Sequence, residues 1–252
     1  MSYCLLRQLF LKNISTISTT SKSVVIINRY YTSPGDTSTR KPLLQELAST
    51  FTTKRLDKMT NVVNNRTRNI AVVLEKIRNE GNEYAIYRTM DALGYQVAHK
   101  IPNPKYSRRT CSRTDAGAMK WIDIKTWKSA KECLSQLKSC KYNIVAASSK
   151  CGTKNLQSLD FTRKTAIILG SENEGVSEEA MSFVDEVFHI DMVGFVESYN
   201  VSVAAALILH HIHQDRITKL VRSSEYLSAR IYVGSSCHEL IINLIVMLQI
   251  NN

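Results

Sequence analysis

Two glycine loops, each leaving an apolar strand and entering a helix, constrain the fold of this chain more than any other feature. The first is Gly170–Ser177, GSENEGVS, which follows the β-branched run Thr165–Leu169. The second lies within Phe188–Leu209, FHIDMVGFVESYNVSVAAALIL, where a short apolar strand gives way to a glycine-containing loop and a long apolar helix. Ser198 and Asn200 precede that helix, and their side-chain oxygens are of the kind that accept from the unpaired amides of a first turn. Two such units in tandem predict parallel strands. The loops at their carboxyl ends would cradle a nucleotide-like ligand with backbone amides.

The rest of the pattern agrees with a layered arrangement. Strands are expected at Ile70–Leu74, Tyr95–His99, Tyr142–Ala147, Thr165–Leu169 and Val187–Ile190. Helices are expected at Asn82–Leu93, closed by Gly94, and at Trp127–Cys140, Ser177–Phe183 and Ser198–Arg216. Strands alternating with helices mean an α/β fold, a mostly parallel sheet flanked by helices on both faces. A basic amphipathic helix is expected at Lys54–Asn65, and Pro102–Thr114 reads as a long basic loop.

Charge narrows the partners. The 252 residues carry a formal net charge of +11, which favours a polyanion, with nucleic acid and an anionic membrane surface as the choices. No segment reaches the roughly 18–20 apolar residues of a membrane span, and Leu240–Ile250 is apolar but too short. The six cysteines form no CxxC pair and show no metal spacing, which fits a reducing compartment. The first 35 residues hold Arg7, Lys12, Lys22 and Arg29, many Ser and Thr, and no acid. Their apolar residues fall at near-helical spacing, so 1–35 is read as a mitochondrial transit peptide and the protein as a matrix protein. A secretory signal fits less well, because the apolar residues are interrupted.

Three spaced segments carry a family resemblance. Asn82–Gly94 (NEYAIYRTMDALG), Gly170–Ser177 (GSENEGVS) and Ile190–Ser202 (IDMVGFVESYNVS) resemble the three motifs of the SpoU/TrmH family, within the SPOUT superfamily. Thr114–Ile124 resembles that family's small-residue loop before a Trp-containing strand. The resemblance runs from about Leu56 to about Arg216. It implies S-adenosylmethionine-dependent RNA 2'-O-ribose methyltransfer, a C-terminal trefoil knot, and a homodimer. The division expected is 36–69 as linker and basic helix, 70–216 as the methyltransferase domain, and 217–252 as a C-terminal extension.

Methyl transfer to a ribose hydroxyl needs an electrophile held in line, removal of the hydroxyl proton, and positive charge near the adjacent phosphate. A sulfonium supplies the electrophile without a metal. The resemblance assigns the catalytic set to Asn82, Arg88, Glu172, Ser198 and Asn200. Arg88 lies in an otherwise apolar stretch, so it either grips an RNA phosphate or forms a structural ion pair with Glu172 or Asp91. Asn82 orients the arginine or the ribose, or caps its helix. Glu172 fixes Arg88 or a loop amide. Ala147, Gly170, Ile190, Met192 and Tyr199 are the expected walls of the S-adenosylmethionine pocket, with Gly170 and Gly175 permitting close backbone approach to the ligand. Lys105, Arg108, Arg109, Arg113 and Arg66 are expected to contact RNA phosphates, supported by Lys54, Arg55, Lys58 and Arg68. Three positions depart from the family pattern: Asp191 and Glu80 stand where proline is usual, and Tyr199 where leucine is usual.

The reading that follows is a methyltransferase acting on guanosine ribose in tRNA. The basic amphipathic helix, with Arg66 immediately before the first strand, resembles the tRNA guanosine branch, and residues 36–69 leave no room for a separate rRNA-binding domain. The alternatives are a mitochondrial rRNA 2'-O-methyltransferase and a non-catalytic RNA-binding protein on the same fold. A nucleotide-binding dehydrogenase lacks its GxGxxG after the first strand.

Overall fold

The computed structural model describes residues 52–103, 117–148 and 154–220. The chain divides into two compact units, Met1–Asn65 with Gly234–Asn252, and Arg66–Val233. Of the first, the described part is helix α1 (Thr53–Asn64), which exposes Lys54 and Lys58. Its end is closed by Asn65, whose side-chain amide donates to the Asn61 carbonyl at 2.7 Å.

The second unit is a seven-stranded sheet. In chain order its elements are β1 (Thr67–Glu75), α2 (Glu80–Leu93), β2 (Tyr95–Ile101), β3 (Asp123–Thr126), α3 (Ala130–Ser139), β4 (Asn143–Ala147), β5 (Lys154–Asn155), β6 (Thr165–Leu169), α4 (Glu178–Met181), β7 (Glu186–His189) and α5 (Val201–Leu220). The strand order is β3-β2-β1-β6-β4-β7-β5, and every pairing is parallel. All carboxyl ends therefore lie along one edge. The loops after β1, β6 and β7 gather there.

Period-two alternation sorts the strand residues into two cores. Ile70, Val72 and Leu74 of β1 join Ile167 and Leu169 of β6 in one cluster, which packs against Ile86, Tyr87 and Met90 of α2 and Ala205, Ile208, Leu209 and Ile212 of α5. Ala71 and Val73 face the other way, with Ala166 and Ile168, onto Cys133, Leu134 and Leu137 of α3 and Ala180 of α4. The central strands are apolar on both faces because both are covered. Burial pushes the Cys133 thiol up to about 12, so it behaves as a small apolar side chain. Tyr95 ties the two helices' layer to β2 by donating to the Leu209 carbonyl at 2.9 Å.

Helix ends differ from expectation by a few residues, each for a local reason. α2 begins at Glu80, because Asn79 rather than Asn82 is its cap: the Asn79 Oδ1 accepts from the Gly81 amide at 2.8 Å. Gly94 closes α2 in the left-handed conformation at φ 79°, as the sequence predicts. α3 begins at Ala130, not Trp127, capped by Ser129, which accepts from the Glu132 amide at 3.1 Å. α5 begins at Val201, three residues later than expected, and continues to Leu220.

Candidate active site at the carboxyl edge of the sheet

Three side chains from three separate segments meet at this edge. Asn82, in the first turn of α2, receives a hydrogen bond on Oδ1 from the Asn200 amide at 3.2 Å. Its own amide donates to Glu172 Oε1 at 2.9 Å. Glu172 also accepts from the backbone amides of Arg78 at 3.0 Å and Asn79 at 3.4 Å. Burial alone would raise the Glu172 carboxyl. The Arg78 amide, the Asn82 side chain and the Asn79 amide outweigh that and hold it below the ordinary carboxylate range. Asn200 turns its remaining oxygen on α5, accepting from the Ser202 amide at 2.8 Å, so it caps that helix while reaching Asn82.

Glu172 rides on a hairpin closed by paired hydrogen bonds between Ser171 and Gly175, at 3.0 and 2.9 Å. Gly175 adopts φ 69°, which favours glycine. Gly170 is required by its own surroundings. A Cβ there would stand 2.2 Å from the Gly175 carbonyl carbon and 2.3 Å from the Val176 nitrogen. The missing side chain makes room for the hairpin's backbone. The far end of the hairpin is held by Glu75, at the end of β1 and fully buried. Its carboxylate accepts from the Ser177 amide at 2.9 Å and from the Ser177 hydroxyl. Sequence reasoning passed over Glu75 because it terminates an apolar run. An acid in a buried strand is itself the signal, since it must find donors.

Arg88 is not on a buried face. It is exposed, and among the described residues it pairs with neither Glu172 nor Asp91. It shares a stripe of α2 with Ala85, Thr89 and Ala92, along a shallow groove of about 540 Å³ whose other wall is Ala206 and His210 of α5. The buried face of α2 carries instead a polar cluster the sequence reading missed. Tyr87 donates to Glu83 Oε1 at 2.6 Å and Lys100 to Glu83 Oε2 at 2.7 Å. Burial, then the Glu83 carboxylate, pushes the Tyr87 hydroxyl far above its ordinary value. This cluster locks α2 to the end of β2.

The loop between β7 and α5 is open. Val193 and Phe195 are fully exposed, Val196 and Tyr199 partly so, and Ser198 makes no hydrogen bond among the described residues. Ile190 and Ala147 are half-buried against the core at the ends of β7 and β4, and Met192 is half-buried. Apolar walls beside a glycine hairpin and free backbone groups suit an adenosine moiety better than a metal or a polyanion. Asp191 is drawn to the sheet edge by Asn155, whose amide donates to it at 2.5 Å.

Arg66 corrects an expectation. Its side chain is 4% exposed and paired with Asp91, so it is a structural ion pair and not a phosphate contact. Arg68 pairs with Asp123. Lys105, Arg108, Arg109 and Arg113 lie outside the described residues.

Comparison with known proteins follows the same motifs. Residues 69–210 match the model of the SpoU rRNA Methylase family. A Thermus thermophilus protein named tRNA (guanosine(18)-2'-O)-methyltransferase is 34% identical over 166 residues, spanning 66% of this chain and 85% of that protein. An Escherichia coli protein of the same name is 32% identical over 162 residues, 64% of this chain and 70% of its own length. Among solved structures, the Aquifex aeolicus TrmH/SpoU tRNA modifying enzyme superposes with a TM-score of 0.62 at 27% identity, covering 74% of this chain and 96% of that one. The SpoU methyltransferase AviRb from Streptomyces viridochromogenes, in complex with AdoMet, shares the fold at a TM-score of 0.55 and 23% identity, over 60% of this chain and 59% of that one.

Proposed function

The chain belongs to the SpoU rRNA methylase family, and we propose that it methylates the ribose 2'-hydroxyl of a guanosine in tRNA, with S-adenosylmethionine as the methyl donor. The observation that carries this reading is the hydrogen-bond chain Asn200–Asn82–Glu172, which joins all three motif loops at one edge of the sheet. Relatives covering most of their own length with this chain, and named for tRNA, favour tRNA over rRNA.

The donor's adenosine would lie among Ala147, Ile190, Met192 and Tyr199, beside the Gly170 hairpin. Bound there, it supplies a methyl group already activated on a positively charged sulfur. The protein's work is then placement. Asn82 and Asn200 fix the loops against one another. Glu172 spends its charge on the amides of Arg78 and Asn79, which sets the turn leading into α2. Arg88 stands exposed, with its guanidinium uncommitted among the described residues. A guanidinium keeps its charge in water and binds phosphate through two parallel donors. Its role here is to grip the phosphate next to the target ribose. That positive charge eases loss of the hydroxyl proton to solvent as the new bond forms.

We further propose that the chain acts as a homodimer in the mitochondrial matrix, with its C-terminal part threaded as a trefoil knot and 1–35 as the targeting segment. The homodimer is supported by apolar side chains left outward on α5, Val203, Leu207 and Ile217. Matrix targeting is supported by the acid-free, hydroxyl-rich composition of 1–35.

The test is transfer of a labelled methyl group from S-adenosylmethionine to tRNA transcripts, with the modified nucleotide mapped. Methylated guanosine is expected with wild type, and a loss of about 100-fold or more with Arg88→Ala at unchanged donor affinity. A wild-type protein that binds tRNA but transfers nothing would leave the non-catalytic RNA-binding reading.

A further inference from the structure

We propose that Asp191 is a positioning residue for the donor-binding loop, clamped to the edge of the sheet by Asn155 and His189. The proposal rests on the reading of this loop as the methyl-donor site.

β5 is a two-residue strand at the sheet edge, and it pairs in parallel with β7 so that Asn155 lies opposite His189. Lys154 and Glu186 reinforce the pairing with a 2.6 Å ion pair. Asp191, two residues beyond His189, reaches back to both members of the register pair. One carboxylate oxygen accepts from the Asn155 amide at 2.5 Å, and the other lies 3.2 Å from His189 Nε2.

The orientation of Asn155 is not free. Its Oδ1 already accepts from the Gln157 amide at 3.0 Å, so its nitrogen must be the donor to Asp191. Asp191 is therefore required as an acceptor, which an ionised carboxylate satisfies on both oxygens. The next eight residues, 193–200, are all exposed, and no described side chain holds Val193, Gly194 or Phe195 in place. The clamp is the last fixed point before that open stretch. Ile190 and Met192, on either side of Asp191, are expected walls of the adenosine pocket.

Proline at this position, usual in the resembled family, would restrain the loop through its fixed φ. The Asp191 amide makes no backbone hydrogen bond among the described residues, so a proline would forfeit none. In this chain a side-chain clamp takes the place of that restraint. It lowers the ordering cost of donor binding in the same way, by fixing the loop in advance.

Calorimetry of S-adenosylmethionine with the full chain tests this. Asp191→Ala and Asn155→Ala should each raise Kd about five- to tenfold, and the double variant should be no weaker than Asp191→Ala, which already removes the hydrogen bond to Asn155. Asp191→Pro should return Kd to within about twofold of wild type. The melting temperature of Asp191→Ala should stay within about 2 °C of wild type, since an exposed pair contributes little to global stability. Wild-type affinity in Asp191→Ala, losses that add in the double variant, or a folded Asp191→Pro as weak as Asp191→Ala would each overturn the clamp alone. A wild-type chain that does not bind S-adenosylmethionine would overturn both the clamp and the donor-site reading.

Discussion

Asn82 is asked to do two opposite things at once. Its oxygen accepts from Asn200 while its nitrogen donates to Glu172. A carboxamide does both at once on separate atoms, an oxygen that accepts and a nitrogen that donates. Aspartate has nearly the same shape but cannot donate when ionised, and it would bring a second negative charge to Glu172. One proton would then be shared between the two carboxylates, and the pair's upper pKa would rise. The wild-type site has no such dependence, because Glu172 is held below the ordinary carboxylate range and stays ionised from pH 5 to 8. A depressed carboxyl gives its stabilisation above its unfolded value and loses it only as pH falls through the folded one. Methyl transfer by Asn82→Asp relative to wild type should therefore fall about tenfold between pH 5.5 and 8, a shift of one pK unit. A ratio that does not change with pH would mean that Asn82 does not contact an ionised Glu172. On the buried side of α2, Glu83 likewise serves two donors at once, Tyr87 and Lys100.

At the scale of elements, what the sequence makes legible is what local chemistry decides. Thr165–Leu169 is a strand at its expected bounds because five consecutive apolar or β-branched residues suit a strand covered on both faces. Gly94 closes α2 because nothing else adopts its φ so readily. Trp127 falls on a helical period with α3 yet stays outside it, since its ring is used elsewhere. Its Nε1 donates to His99 Nδ1 at 2.9 Å, and Lys125 lies 3.5 Å from the ring centroid. The capping signature Ser129-x-x-Glu132 marks the true start. Asn79 and Asn82 are equally good caps by residue type, and tertiary partners decide between them. The candidate site was legible as motifs, but the exposure of Arg88, the burial of Arg66 and the role of Glu75 depend on contacts over long separations. The His99–Trp127 pair makes its own prediction. Burial, and secondarily Lys125, lower the His99 imidazole to about 4, so it is neutral when folded and takes up a proton near its usual value when unfolded. Between those values the unfolded chain binds more protons, and stability rises with pH. Denaturant titration should show the native state losing about 2 kcal/mol more between pH 7 and pH 5 than His99→Gln, which keeps an acceptor for Trp127 but does not titrate. Equal losses would remove His99 as the source.

At the scale of the whole molecule, α5 is the element on which the proposed homodimer turns. Its inward face, Ala205, Ile208, Leu209 and Ile212, is fully used against the sheet and α2. Its outward face still shows Val203 at 47%, Leu207 at 44% and Ile217 at 39% exposure. Its first half, Val201–Leu209, is apolar but for Ser202, and an apolar stretch of helix is expected to be covered on every side. The loop before it adds Phe195 and Val193, which touch little of their own chain. A second copy brings the same apolar face and no unmatched charge, which suits a two-fold interface. Leu207→Glu places a charge in the middle of that face, and burying it unpaired would cost several kcal/mol. Sedimentation should then show the particle mass halved, with the circular dichroism of a folded chain retained. If the second copy also covers Phe195 and the exposed loop, donor affinity should fall with it. Lys131→Glu, on α3 across the sheet, should change neither mass nor affinity. A Leu207→Glu protein with wild-type mass would remove α5 from the interface, and a monomer with full donor affinity would mean that each chain builds its pocket unaided.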